Sequence, residues 1–181
     1  MALRLVTVCW LMLSTVTALA ADKYELRTFK KTILGERFFA EGATYGDLNN
    51  DGKPDLIGGP YWWEGPDFKK QHEFYPAKPF DPKGYSDNFF AFVHDFNGDK
   101  WNDILLYGFP GKDASWFQNP GKDGDGHWKR HVVFDQVDNE SPTWGDLTGD
   151  GKPEMIGQFD GFFGYATPDW KAPEKKWTFH K

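Results

Sequence analysis

D-L-N-N-D-G-K-P-D (Asp47 to Asp55) returns as D-F-N-G-D-K-W-N-D (Asp95 to Asp103) and again as D-L-T-G-D-G-K-P-E (Asp146 to Glu154), with starts 48 and 51 residues apart. Taken with their flanks, the first and third copies (Gly46 to Gly58 and Gly145 to Gly157) are identical at 9 of 13 positions. A repeat near 50 residues signals an array of similar supersecondary units, each too small to bury its apolar face alone. Within each copy an oxygen-bearing side chain recurs at every second residue, with small or permissive residues at most of the turning points between them. A hard cation such as calcium takes six to eight oxygens at about 2.3–2.6 Å, and this spacing offers them from one short loop.

The expected ligands of the first loop are Asp47, Asn49, Asp51, the Lys53 carbonyl and Asp55, at loop positions 1, 3, 5, 7 and 9. The second loop matches with Asp95, Asn97, Asp99, the Trp101 carbonyl and Asp103, and the third with Asp146, Thr148, Asp150, the Lys152 carbonyl and Glu154. An EF-hand would place a bidentate Glu at position 12 and a helix after the loop. Here position 12 is Gly58, Leu106 or Gly157, and a strand pattern follows, so that reading is rejected. The carboxylate at position 9 is expected to supply what position 12 lacks. Up to three calcium ions are anticipated, with the first loop the strongest site. The second carries Lys100 where a glycine is wanted at position 6; the third has Thr148 as a poorer donor and a longer Glu154. Asp/Asn/Gly-rich turns also occur without metal. Three in register, with nine carboxylates among them, favour the cation.

Short strands surround each loop. The second repeat reads as strands over Phe90 to Phe96, Ile104 to Phe109, Ser115 to Gln118 and Trp128 to Phe134. The first reads as Ala43 to Gly46, Leu56 to Gly59, Tyr61 to Glu64 and Gln71 to Tyr75; the third as Thr143 to Gly145, Met155 to Phe159, Phe162 to Ala166 and Trp177 to His180. Gly, Pro, Asp and Asn punctuate these runs and no 3.6-residue apolar period appears, which argues an all-β protein. Four strands per repeat describe a propeller blade, and propellers use four to eight blades. The expectation is three four-stranded blades, over about 41–76, 88–135 and 141–181. A closing strand is added at 29–34, because F-K-K-T-I-L (Phe29 to Leu34) matches W-K-R-H-V-V (Trp128 to Val133). Three blades make an incomplete propeller, to be closed by further blades or by self-association.

The pattern D-x-[DNT]-x-D-[GK]-x-x-[DE] between two short strands, repeated about every 50 residues, resembles the FG-GAP/VCBS repeat family. That family includes the propeller of integrin α subunits and many secreted bacterial proteins. The resemblance covers about Phe29 to Lys181 and implies a seven- or eight-bladed calcium-binding propeller, of which this chain is the N-terminal portion. Lys100, Thr148 and the missing blades depart from the pattern.

Residues 1–20 have the form of a signal peptide: Arg4, an apolar run from Leu5 to Leu13, then small residues ending Ala18-Leu19-Ala20. Cys9, the single cysteine, falls inside it. A secreted or otherwise extracytoplasmic protein is expected, with no membrane insertion after cleavage, and one that draws stability from metal in place of disulfides. With Arg4 removed, 20 basic residues face 27 acidic ones, and no basic run suggests a nucleic-acid partner. The function read from these features is binding or adhesion to an extracellular protein or glycan, with no catalytic residue of its own. The alternative is a scaffold portion of a carbohydrate-active enzyme, of polysaccharide lyase or sugar dehydratase type, with its catalytic residues elsewhere.

Two smaller patterns recur. Aromatic pairs follow the loops at Trp62-Trp63, Trp116-Phe117 and Phe162-Phe163, and one ring of each is expected between blades. His72, His131 and His180 occupy matching places and are read as structural, because catalytic residues in a repeat array are normally unique. His94 and His127 do not recur, but neither has a nucleophile or acid partner in view.

Overall fold

The computed structural model describes residues 27–122, 124 and 126–181. The expected signal peptide, residues 1–20, lies outside them. The chain divides into a short N-terminal unit, Met1–Ile33, and a body, Leu34–Lys181. Among the described residues no helix is long and apolar enough to cross a membrane.

The body consists of three four-stranded antiparallel sheets that do not close on themselves. Blade 1 is β1 (Ala43–Gly46), β2 (Asp55–Gly58), β3 (Tyr61–Trp63) and β4 (Gln71–Glu73). Blade 2 is β5 (Phe90–His94), β6 (Asp103–Tyr107), β7 (Lys112–Gln118) and β8 (Lys129–Val137). Blade 3 is β9 (Thr143–Gly145), β10 (Glu154–Phe159), β11 (Phe162–Thr167) and β12 (Thr178–His180). Each strand pairs with its sequence neighbour, so every blade is a simple meander.

All five residues of β6 are buried, whereas β2 alternates between buried and half-buried positions. The difference follows from pleating. Alternate side chains leave opposite faces of a strand, and only the middle blade is covered on both. Ile104, Leu106 and Phe117 join Leu48, Ile57, Trp62 and Phe74 in the core between blades 1 and 2. Leu105, Tyr107 and Trp116 turn the other way, into the core with Met155, Ala166 and Trp177 of blade 3. The innermost strands pack closely: a Cβ on Gly46 of β1 would meet the Val93 side chain of β5 at 2.6 Å.

Three expectations are corrected. Phe29 to Leu34 forms no strand; Phe29 is 88% and Ile33 69% exposed. A strand exists only through a partner's backbone, and among the described residues none pairs with this segment. The turn expected over Pro110 to Ala114 is shorter, because β7 begins at Lys112 and continues through a bulge to pair Lys112 with Val137. Third, Phe162-Phe163 is not the counterpart of the other aromatic pairs. Ile57 faces Trp62 and Leu105 faces Trp116, whereas Ile156 faces Tyr165. The β10–β11 hairpin turns at Asp160-Gly161, both with positive φ (51° and 76°), as a two-residue type I′ turn requires. Its longer arms carry Phe162 and Phe163 out to 46% and 78% exposure. In blade 2, by contrast, both Trp116 and Phe117 are buried.

Candidate metal centres

Each acidic loop is shaped by its own side chains. The carboxylate at position 1 accepts backbone N–H groups from the far side of the loop. Asp47 takes those of Asp51 (3.1 Å) and Gly52 (2.8 Å). Asp95 takes those of Gly98, Asp99 and Lys100, and Asp146 those of Gly149 (2.7 Å) and Gly151 (2.9 Å). The Asp at position 5 caps the amide of position 7: Asp51 to Lys53, Asp99 to Trp101 and Asp150 to Lys152, all at 2.8–2.9 Å. Asn49 and Asn97 accept from position 5 at 3.0 Å. Such bonds are the ordinary chemistry of Asx turns.

To wrap the chain this tightly, positions 4 and 6 adopt left-handed backbone. Asn50, Gly98 and Gly149 do so at position 4, and Gly52, Lys100 and Gly151 at position 6. Lys100, at φ 75°, pays a steric penalty there that glycine does not. Lys100→Gly is expected to raise unfolding free energy by roughly 0.5–1 kcal/mol, read from urea denaturation.

Position 2 anchors the first two loops to the core. Leu48 and Phe96 are 2% exposed, in the cores on either side of blade 2, whereas Leu147 is 54% exposed. Asparagines brace the first two loops: Asn102 Nδ2 donates to the Asp47 carbonyl (2.7 Å), Asn50 Nδ2 to that of Lys100 (3.0 Å), and Asn119 Nδ2 to those of Leu48 (2.8 Å) and Asn102 (2.9 Å). Sequence reading missed these braces. The one available signal was Asn102, which replaces the proline found at position 8 in the other loops.

The position-9 carboxylates are the buried members. Asp55 Oδ2 accepts Leu48 N–H (2.8 Å) and Oδ1 accepts Gly65 N–H (2.9 Å). Asp103 repeats this with Phe96 (3.0 Å) and Asn119 (2.8 Å). Each thus clamps the start of its own loop to the end of the third strand. Burial raises the Asp55 carboxyl above its usual range and pushes that of Asp103 up to about 7, against the opposing pull of the two amides. Glu154 differs, as its Oε2 accepts Leu147 N–H (2.8 Å) and its Oε1 meets the Thr148 hydroxyl (3.2 Å). Both partners lie within the loop.

That difference decides which donors converge. Among the described residues only Asp146, Asp150 and Glu154 bring carboxylate oxygens within 4.8 Å of one another. Oxygens on opposite sides of a calcium ion lie about 4.6–5.2 Å apart, so this set fits a hard cation. The other two triads do not gather in this way. Thr148 turns its hydroxyl to Glu154, and Asn97 turns its amide nitrogen to Asp99 (2.8 Å). The third loop thus gathers its carboxylates where the first two do not: Glu154, one methylene longer, lies with Asp146 and Asp150, while the shorter Asp55 and Asp103 are held by amides on both oxygens.

The recurring histidines stack on third-strand rings: His72 on Trp62 (4.0 Å), His131 on Trp116 (4.3 Å) and His180 on Tyr165 (4.8 Å). Their Nε2 atoms meet Glu64, Gln118 and Thr167, each two residues beyond the stacked ring. A ring partner plus a polar partner in every blade is a packing role. His94 lies among Phe96, Trp144 and Trp170, where burial lowers its pKa. His127 pairs with Glu73 at 3.0 Å.

Residues 95–157 match a family model described as an FG-GAP-like repeat, a stretch that opens on Asp95, the first residue of the second loop, and closes just past the third. No curated protein and no solved structure matches the chain. Two acidic loops of one pattern lie inside the match and a third, set between strands in the same order, lies ahead of it; residues 95–157 are therefore similar to an FG-GAP-like repeat, and they lie within four-stranded sheets of propeller-blade type.

Proposed function

We propose that the chain is an exported, calcium-stabilised propeller module whose task is to bind a glycan or a protein, with no catalytic chemistry of its own. The observation that carries the calcium reading is the convergence of Asp146, Asp150 and Glu154. Unit charges near 4 Å repel by about 1 kcal/mol in water and about 4 kcal/mol at a protein surface; a doubly charged ion turns that repulsion into attraction. The other two loops support the reading through their donor sets. A carboxylate oxygen that accepts an amide keeps a second lone pair for a cation, so Asp55 and Asp103 can clamp and coordinate together. The third loop is expected to fill first.

Calorimetry on chelator-stripped protein tests this directly. Calcium should bind with measurable heat and raise the melting temperature. At a calcium concentration 100-fold above the dissociation constant, each filled site adds about 2.7 kcal/mol. Asp150→Ala should lose about that much in calcium and almost nothing in chelator, since Asp150 is exposed. A folded protein that shows no heat and no shift in millimolar calcium overturns the proposal. Export is checked separately, by a mature N-terminus at Ala21 in the mass spectrum.

A further inference from the structure

Blade 2 overhangs blade 1. β3 and β4 have three residues each, whereas β7 has seven and β8 nine. Where the shorter strands stop, the two blades part and leave a cleft of about 410 Å³, within the range of small-ligand sites. No acidic loop contributes to it.

Its walls have two chemistries. Tyr75 and Phe117 lie with ring centroids 5.1 Å apart at 29°. Trp128 adjoins them, its backbone N–H on the Phe74 carbonyl at 2.8 Å and its ring 5.3 Å from that of Phe74. The polar wall comes from the same face of blade 2. Asp113, Ser115 and Phe117 alternate along β7, and Arg130 stands opposite Phe117 on β8. Arg130 Nη2 donates to Asp113 Oδ2 at 2.5 Å, and Ser115 Oγ to the same oxygen at 2.8 Å. This leaves further guanidinium donors and the other carboxylate oxygen for a ligand. Lys78 and Asp87 also border the cleft, so its lining carries as many lysine and arginine cations as carboxylates; His127, another lining residue, is held by Glu73.

Each feature restricts the occupant. A purely apolar guest would bury the Arg130–Asp113 pair without replacing its water, which is costly. An anion would find each cation matched by a carboxylate. A pyranose presents an apolar C–H face to the rings and hydroxyls, each both donor and acceptor, to Arg130, Asp113 and Ser115. We propose that the cleft between blades 1 and 2 is a binding site for neutral saccharides, with Trp128 and Tyr75 as the platform and the Asp113–Arg130 pair as the hydroxyl reader. This rests on the binding-module reading above and is independent of calcium.

The test is calorimetric titration of the full chain with neutral α-1,4- and β-1,4-linked hexose disaccharides and tetrasaccharides, alongside a galacturonate tetrasaccharide. At least one neutral sugar should bind. Trp128→Ala and Arg130→Ala should each weaken it tenfold or more, and the galacturonate should bind at least tenfold more weakly than the best neutral sugar. Arg130 is half exposed, so Arg130→Ala should keep the parent melting temperature. Below the melting temperature in chelator, sugar affinity should be the same with and without calcium. Absence of neutral binding, equal binding by both variants, or preference for the uronate overturns the site. Calcium heats without sugar binding would sink this inference and spare the calcium proposal; sugar binding without calcium heats would do the reverse.

Discussion

Asp103→Ala should cost about 3 kcal/mol of unfolding free energy in chelator, where no ion contributes, and at least as much in calcium. The carboxylate is fully buried and holds two backbone amides, those of Phe96 and Asn119. Its removal leaves both donors without a partner, at about 1–3 kcal/mol each. If Asp103 acts mainly by coordinating an ion, the loss will appear in calcium and vanish in chelator, and the clamp reading fails. A pH profile separates the roles further. In chelator the folded carboxyl titrates near 7, above the ordinary value of 3.8. The native state therefore keeps a proton that the unfolded state releases between about pH 4 and 7. Stability from this group is greatest below pH 4, falls as pH rises through that window, and is level above it. Asp103→Asn should flatten that slope, as followed by urea midpoints across the range.

The clamp also shows what a sequence can and cannot display. β1 and β9 have the bounds that alternation and turn residues predict, because Gly46-Asp47 and Gly145-Asp146 mark their ends in the chain itself. The carboxylates that fold each loop were legible for the same reason: a loop built of successive Asx turns writes its oxygens at every second residue. Which of them meet was not legible. The partners of Asp55 and Asp103 include Gly65 and Asn119, 10 and 16 residues onward, brought back only once the third strand has paired. The braces from Asn102 and Asn119 cross between blades and leave no local pattern. The segment expected as a closing strand, 29–34, has no partner among the described residues, since its match to Trp128–Val133 is a likeness of side chains and pairing depends on a neighbour's backbone. Tyr165 was overlooked as the counterpart of Trp62 and Trp116 because hairpin length moved it three residues past Phe162.

Trp116→Ala should be the most damaging single substitution, at about 3–5 kcal/mol. The side chain is 1% exposed and lies at the seam of blades 2 and 3, stacked on Phe96 at 5.3 Å and on His131 at 4.3 Å. Its Nε1 donates to the Pro173 carbonyl at 3.1 Å, yet Trp177 Nε1 reaches the same oxygen at 3.2 Å. That carbonyl therefore keeps a donor when Trp116 is lost, and the damage is one of packing. Trp116→Phe, which restores most of the ring volume, should accordingly recover more than half of the loss. In a repeat array stability is close to a sum of blade and interface terms; weakening one seam should release the blade beyond it. Amide exchange is then expected to accelerate across β9 to β12 in Trp116→Ala while β1 to β4 keep more of their protection. Uniform acceleration in all three blades would mean that they unfold as one cooperative body, and that the seams hold more strongly than the blades they join.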